Sequence, residues 1–150
     1  MPVNPSFAGR SYPPTPPYRV SREKIREFAD AISDPNPAYR SVDAAKALGH
    51  ADVVAPPTFP IVLTLPAGQQ FITDPDAGVD YSRVVHGEQR FVHERPVVAG
   101  DELQVTLSID SIRSAAGNEL ISTRTEVRTT ADELVSTAHA IIVVRGGGDD

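Results

Sequence analysis

The residues best suited to proton transfer lie in one polar stretch, residues 33–39, with the sequence SDPNPAY. Asp34 is the only carboxylate in the stretch, and a carboxylate that shares proton transfers needs a second acid–base group nearby. Five residues further on stands Tyr39, a phenol whose ordinary pKa is about 10, which makes it a poor base at neutral pH. The stretch therefore has half of the groups that acid–base catalysis requires.

The same stretch has a simpler interpretation as a turn. Asp and Asn next to proline favour turns, and a residue that precedes proline avoids helical geometry. On this interpretation Asp34 caps the turn, and Tyr39 is a half-buried aromatic residue whose hydroxyl group finds a partner. Both interpretations require a helix to end just before the stretch.

Composition limits the class of protein. A chain of 150 residues, 40% hydrophobic and 23% charged, suits one globular domain. No apolar run reaches the roughly 18 residues of a membrane span, and the N-terminus lacks a secretory signal, so we expect a cytoplasmic protein. The absence of cysteine excludes disulfides and thiolate catalysis. A net charge of −6 without a basic patch argues against nucleic-acid binding.

The first half of the chain predicts an extended arm followed by helices. Residues 1–19 contain six of the 14 prolines and form the Pro-rich arm. A first helix begins after Ser21, a good N-cap residue. Its buried stripe comprises Ile25, Phe28, Ala29 and Ile32. A second helix spans residues 41–48 and stops at Gly49. Its inner face comprises Ala44, Ala45 and Leu48.

The most continuously apolar segment predicts a central helix over about residues 57–72, buried on most sides and bent by Pro66. Four β-rich runs with turn signals between them follow, over residues 83–94, 101–113, 119–130 and 133–145. In the second run, strict alternation predicts one buried face, formed by Leu103, Val105, Leu107 and Ile109. The outline is a single α+β domain over residues 20–145, in which an antiparallel sheet covers the helix. Residues 146–150 read as a disordered tail.

Three segments resemble one known family. Residues 34–39 (DPNPAY) resemble the Asp-x-Asn-Pro-x-His motif of MaoC-like, R-specific enoyl-thioester hydratases and dehydratases. Residues 86–91 (HGEQRF) resemble a segment in the non-catalytic half of double hot-dog members, and residues 95–101 (RPVVAGD) resemble the turn before their next strand. The resemblance covers nearly the whole chain and is nearest to the HadA-type subunit of actinobacterial (3R)-hydroxyacyl-ACP dehydratase. It implies a single hot-dog fold, in which a curled antiparallel sheet wraps one long helix.

The resemblance also implies a chemistry, the addition or removal of water at an α,β-unsaturated thioester. In active members an aspartate and a histidine hold the water, and a backbone N–H at the start of the central helix binds the thioester oxygen. Asp34 and Asn36 match this motif, but Tyr39 stands at the histidine position. At the start of the central helix, active members have a sequence similar to Ala-His-Gly-Met, whereas residues 55–58 of this chain are APPT. Pro57 carries no N–H, so the site is expected to be vestigial.

Substrate contacts are expected on the central helix and on the first long strand. The residues expected to make them are Pro57, Thr58, Phe59, Pro66, His86, Gly87 and Gln89. Two of these have equally simple alternatives, since His86 fits a strand histidine bonded to the backbone and Pro66 fits a plain helix bend. The expected ligand is an acyl thioester of ACP or CoA. We expect no metal, cofactor, nucleic acid or membrane partner.

The leading hypothesis is a substrate-binding, non-catalytic subunit of a (3R)-hydroxyacyl-thioester dehydratase in fatty-acyl metabolism, paired with a catalytic hot-dog partner. One alternative is a homodimeric R-specific enoyl-CoA hydratase, in which Asp34 works with His86 or Tyr39. Another is a non-enzymatic acyl-thioester-binding module. A thioesterase is less favoured because the central helix has no carboxylate. Isolated hot-dog domains usually pair, so a homodimer or a heterodimer is expected.

Overall fold

A computed structural model describes residues 2–146, and these residues form one antiparallel sheet with helices packed against it. The helices are α1 (Arg22–Ala31), α2 (Val42–Ala47) and α3 (Ile61–Ile72). The strands are β1 (Tyr18–Arg19), β2 (Val84–His93), β3 (Glu102–Ala115), β4 (Asn118–Thr129) and β5 (Leu134–Val144). The predicted α+β architecture, a sheet wrapped around one long helix, is confirmed. Apart from Gly146, the predicted disordered tail lies outside the described residues.

The sheet has the strand order β1-β3-β4-β5-β2, with antiparallel neighbours throughout. Strands β3 and β4 are joined by a two-residue turn, Ala116-Gly117, in which both residues have the positive φ that a tight hairpin requires. The predicted alternation in β3 is confirmed, because its four apolar residues are each at most 1% exposed. Within the described residues β2 pairs only with β5, so a ten-residue strand forms one edge of the sheet.

The two short helices begin at the predicted caps. The side chains of Ser21 and Ser41 each accept the N–H three residues further on, at 3.0 and 3.1 Å. Two residues assigned to buried faces are instead exposed, Ile32 by 44% and Leu48 by 65%. Each is the C-cap residue, directly after the last residue of its helix, and the chain leaves the helical path there.

Helix α3 begins at Ile61, four residues later than predicted. Residues 57–60 form hydrogen-bonded turns instead, in which the Phe59 N–H donates to the Pro56 carbonyl at 2.9 Å. Prolines supply no N–H and keep the residue before them out of helical geometry. The regular helix therefore starts only after Pro60, the last proline of this group.

One side of α3 is open in the single chain. The helix buries three residues at helical spacing, Thr64, Ala67 and Phe71. Leu65, between them, is 51% exposed, and Pro66 is exposed as well. The prediction of a helix enclosed on most sides is therefore only partly met, because residues 2–146 leave the apolar side chains of Leu65 and Pro66 exposed. No helix of the described part is long and apolar enough to cross a membrane.

The N-terminal arm runs along the opposite edge of the sheet from β2. Its residue Phe7 is buried, and its ring lies 6.0 Å from that of Phe71. Further along, the Tyr12 and Thr15 N–H groups donate to carbonyls of β3 at 2.9 and 3.0 Å. The arm thus covers the edge next to β1 and leaves β2 as the uncovered long edge.

Candidate functional site

The loop after α1 holds the hydratase-like motif. Asp34 Oδ1 accepts the Asn36 N–H at 3.1 Å, and Asn36 Oδ1 accepts the Ala38 N–H at 3.0 Å. Both side chains thus cap the backbone of the loop, which is the geometry of the turn interpretation. Arg40 holds the loop in place by donating to the carbonyls of Asn36 and Asp34, at 3.0 and 2.7 Å.

Tyr39 is buried beside these two residues, with 9% of its surface exposed. Burial raises the pKa of its phenol, and the Asp34 carboxylate raises it further, while a hydrogen bond with Asn36 acts in the other direction. The net shift is upward, so the phenol stays protonated at neutral pH. Tyr39 can donate a hydrogen bond, but it cannot take up a proton as a histidine would.

The motif lines a cavity of about 410 Å³, here called the motif cavity. Its walls include Asn36, Tyr39, His50, Pro56, Pro57 and His93. The sequence suggested no role for the two histidines, because they come from distant segments that only the fold brings beside Tyr39. A hydrogen bond with Ser136 orients the His93 ring, since His93 Nδ1 lies 3.0 Å from the hydroxyl group of this fully buried serine. Residues 2–146 contain no cluster of three or more His, Asp or Glu side chains that could hold a metal ion.

Few backbone N–H groups are available as hydrogen-bond donors in residues 57–59, just before α3. Pro57 has no N–H, and the Phe59 N–H is already bonded to the Pro56 carbonyl. The N–H of exposed Thr58 makes no hydrogen bond within residues 2–146. Pro57 therefore offers no donor, and the nearest N–H without a partner among residues 2–146 is that of Thr58.

A second cavity, called the helix cavity below, lies between α3 and the sheet and has a volume of about 40 Å³. The helix contributes Thr64, Leu65 and Gly68 to its walls, and strand β2 contributes His86 and Gln89. These are the two polar side chains that the sequence assigned to substrate binding on this strand. The helix cavity, and not the motif cavity, is thus the place where they meet the central helix.

A β-bulge makes this convergence possible. In a regular strand, residues three apart face opposite sides of the sheet. The register of β2 on β5 shifts between His86 and Glu88, so that His86 and Gln89 both line the helix cavity. Gly87 occupies the bulge, where a Cβ atom would lie only 3.1 Å from Val143 Cγ2. His86 Nε2 also lies 3.1 Å from the Glu88 carbonyl oxygen, so this histidine combines a backbone contact with a place in the cavity wall.

The other predicted contacts are spread around α3. Pro66 borders a groove of about 620 Å³ between the helix and the arm, on another side of the helix from Gly68 and the helix cavity. Thr58 is exposed. Phe59 is fully buried, and its ring packs edge-on against Phe28 at 5.6 Å. Phe59 lines none of the three cavities, so its predicted contact with substrate does not fit this geometry.

Comparison with known proteins places this arrangement in a family. A family model described as the FAS1-like dehydratase domain region matches residues 6–138. The chain belongs to this family. Among curated relatives of this FAS1-like dehydratase domain, a UPF0336 protein of Streptomyces avermitilis is 57% identical over 145 residues, which is 97% of either chain. A UPF0336 protein of Saccharopolyspora erythraea is 51% identical over 150 residues, covering 100% of this chain and 96% of the relative.

Solved structures agree with this membership. A chain of the C-terminally truncated HadBC (3R-hydroxyacyl-ACP dehydratase) complex of Mycobacterium tuberculosis is 34% identical, with a TM-score of 0.82 over 91% of this chain and 96% of that one. A MaoC-like dehydratase is also 34% identical, with a TM-score of 0.87 over 95% of this chain. This FAS1-like dehydratase domain spans 43% of that longer protein. The resemblance to MaoC-like hot-dog dehydratases is confirmed, and with it the hot-dog fold.

Proposed function

We propose that the chain is the substrate-binding, non-catalytic subunit, of the HadA type, of a (3R)-hydroxyacyl-thioester dehydratase. A hot-dog partner with an intact Asp-x-Asn-Pro-x-His motif supplies the acid–base pair. The substrate is an acyl thioester of ACP or CoA in fatty-acyl metabolism. The likeness to a chain of the HadBC complex, which is described as a 3R-hydroxyacyl-ACP dehydratase, supports this substrate class.

The observation that carries the proposal is the combination of Tyr39 with Pro56 and Pro57 in the walls of one cavity. The pKa of the Tyr39 phenol is raised, so it does not replace a histidine base. Loss of such a base costs roughly 100- to 10,000-fold in rate. Loss of one oxyanion donor, the consequence of Pro57, costs roughly 100- to 1000-fold. The motif cavity thus has neither a histidine at position 39 nor an N–H at position 57.

The partner is expected to cover two features that lie side by side. Strand β2 is a ten-residue edge that pairs with β5 on one side and with no strand of residues 2–146 on the other, and such edges are normally paired or protected. Beside it, α3 exposes Leu65. The helix cavity is bounded by α3 and β2, so a second hot-dog domain that pairs with β2 would close over it. A thioester held there by His86 and Gln89 would lie at the boundary with the catalytic partner.

The test is dehydratase activity of the complex after substitution at one motif at a time. Asp34→Asn in this chain keeps the cap on the Asn36 N–H and is expected to leave activity unchanged. The same substitution at the aspartate of the partner's motif is expected to abolish activity. Equal losses from the two substitutions would refute a non-catalytic role for this chain.

The alternative of a homodimeric R-specific hydratase is less well supported. Within one chain, His86 lines the helix cavity, whereas Asn36 and Tyr39 of the motif line the motif cavity. Two histidines, His50 and His93, do stand near Tyr39, and they are the groups that such an enzyme would have to use. Robust activity of the isolated chain, lost in His93→Gln, would favour this alternative. Tight acyl-CoA binding without turnover in any complex would favour a non-enzymatic binding module.

A further inference from the structure

The helix cavity contains two polar atoms that no group within residues 2–146 satisfies. Thr64 Oγ1 and Gln89 Nε2 are both buried without a hydrogen-bond partner, and both residues line the cavity. Thr64 as a whole is only 6% exposed. Leaving a buried polar group unpaired is unfavourable, and native proteins nearly always supply a partner. The two atoms are therefore available to form hydrogen bonds with a ligand in the cavity.

The chemistry of the two groups limits what the occupant can be. The amide nitrogen of Gln89 only donates, whereas the hydroxyl group of Thr64 donates or accepts. An atom that satisfies both is an oxygen with free lone pairs. The remaining walls combine apolar residues, among them Phe71, Leu107 and Ile142, with the polar residues Gln69, His86, Thr123 and Thr125. The two unpaired atoms thus suit an oxygen of a ligand whose other atoms contact the apolar part of the wall.

The volume of the cavity limits the size of the occupant. One water molecule needs roughly 10–15 Å³ on this measure, so about 40 Å³ admits roughly three heavy atoms. That is too small for a long acyl chain, but it suits the first carbons of a thioester with their oxygen. Gly68, in the helix wall, leaves this space free, since nothing lies within 4 Å of the position of its missing Cβ.

We propose that Thr64 Oγ1 and Gln89 Nε2 together bind an oxygen atom of the acyl thioester and so position its first carbons against α3. The proposal rests on the proposed function, because it takes an acyl thioester as the ligand. The oxygen is the thioester carbonyl or the 3-hydroxyl group, which present the same acceptor chemistry. Thr64 and Gln89 are thus positioning residues, and their loss changes substrate affinity more than proton transfer.

The experiment measures binding of decanoyl-CoA and (R)-3-hydroxydecanoyl-CoA to the full chain by calorimetry, alone and with its catalytic partner. Thr64→Val and Gln89→Met replace each polar atom with an apolar group of similar size. Each is expected to weaken binding by roughly 3- to 10-fold, the effect of one lost hydrogen bond. Thr64→Ser, which keeps the hydroxyl group, is expected to retain the wild-type affinity.

Gln70 provides a matched control. Its Oε1 atom is also buried and unpaired, but the residue lines the groove beside the arm and not the helix cavity. Gln70→Met is expected to leave both affinities unchanged. This comparison separates a loss of ligand contact from a general effect of removing a buried amide.

The possible outcomes separate the proposal from the proposed function. Weaker binding of the 3-hydroxy ligand alone identifies the 3-hydroxyl group, and weaker binding of both ligands identifies the thioester carbonyl; both results support the proposal. Unchanged affinities for both ligands in Thr64→Val and Gln89→Met would show that the two atoms do not contact the ligand, which overturns it. Absence of binding of either ligand to the wild-type chain, alone or with its partner, would contradict the proposed function and this proposal together.

Discussion

Replacing Gly68 with alanine should stabilise the protein and impair its ligand binding at the same time. Gly68 lies in the interior of α3, where glycine is less favourable than alanine by about 1 kcal/mol. The new methyl group meets no atom within 4 Å, so nothing offsets this gain. For a domain of this size, about 1 kcal/mol corresponds to a rise of roughly 2–4 °C in melting temperature.

The same methyl group would enter the helix cavity, which Gly68 lines. In a cavity of about 40 Å³, one carbon removes a large share of the space. Overpacking of this kind costs about 1 kcal/mol or more, so affinity for acyl-CoA should fall roughly 5-fold or more. Gly68→Leu would fill the cavity further and should weaken binding more than Gly68→Ala does.

Thermal melts and acyl-CoA titrations of the wild-type chain, Gly68→Ala and Gly68→Leu would test this reasoning. The expected result is a higher melting temperature for Gly68→Ala together with a stepwise loss of affinity in the two variants. Unchanged affinity in Gly68→Leu would show that the ligand does not use the helix cavity. A lower melting temperature for Gly68→Ala would show that the space beside the helix is not free.

Three further substitutions test the packing, the electrostatics and the assembly. Phe59→Ala should lower the free energy of unfolding, measured with urea, by about 3–5 kcal/mol, because the ring is fully buried. A variant that stays stable but loses acyl-CoA binding would instead identify Phe59 as a ligand contact. The Arg22 guanidinium, helped by a backbone N–H, lowers the pKa of Asp52 to about 2. This carboxylate therefore contributes stability above its unfolded pKa of about 4, and the contribution is lost as pH falls from about 4 to 2. Melting temperatures between pH 5 and 2 should show this loss in the wild type and a smaller one in Asp52→Asn, whereas identical profiles would refute the ion pair. Leu65→Asp should weaken the association of hot-dog domains by about 1 kcal/mol or more per copy, because it replaces a half-exposed leucine of the expected interface with a charged residue. Sedimentation at several protein concentrations would detect the weaker association. Unchanged association would show that the interface lies elsewhere.

The main architecture could be predicted from local patterns. Serine caps and helical spacing predicted α1, and strict alternation predicted the buried face of β3. These signals depend on neighbouring residues in the chain, so they can be read without the fold. The start of α3 at Ile61 was missed because proline is tolerated both in a first helical turn and in the turns that precede one.

The candidate site was less predictable because it depends on contacts between distant segments. That His86 and Gln89 share a cavity follows from the bulge at Gly87, which exists only through the pairing of β2 with β5. Likewise, His50 and His93 lie beside Tyr39 because separate loops and strands meet there. The motif itself, by contrast, could be read residue by residue, and its two departures are the basis of the proposed function.

The proposed function requires that this chain does not itself catalyse hydration. The most direct test is the rate at which the purified chain hydrates crotonyl-CoA and a longer enoyl-CoA without a partner. We expect no turnover above background for the chain alone, and turnover once a hot-dog chain with an intact Asp-x-Asn-Pro-x-His motif is added. An enzyme-like rate from the chain alone, abolished by Asp34→Ala, would contradict the proposed function.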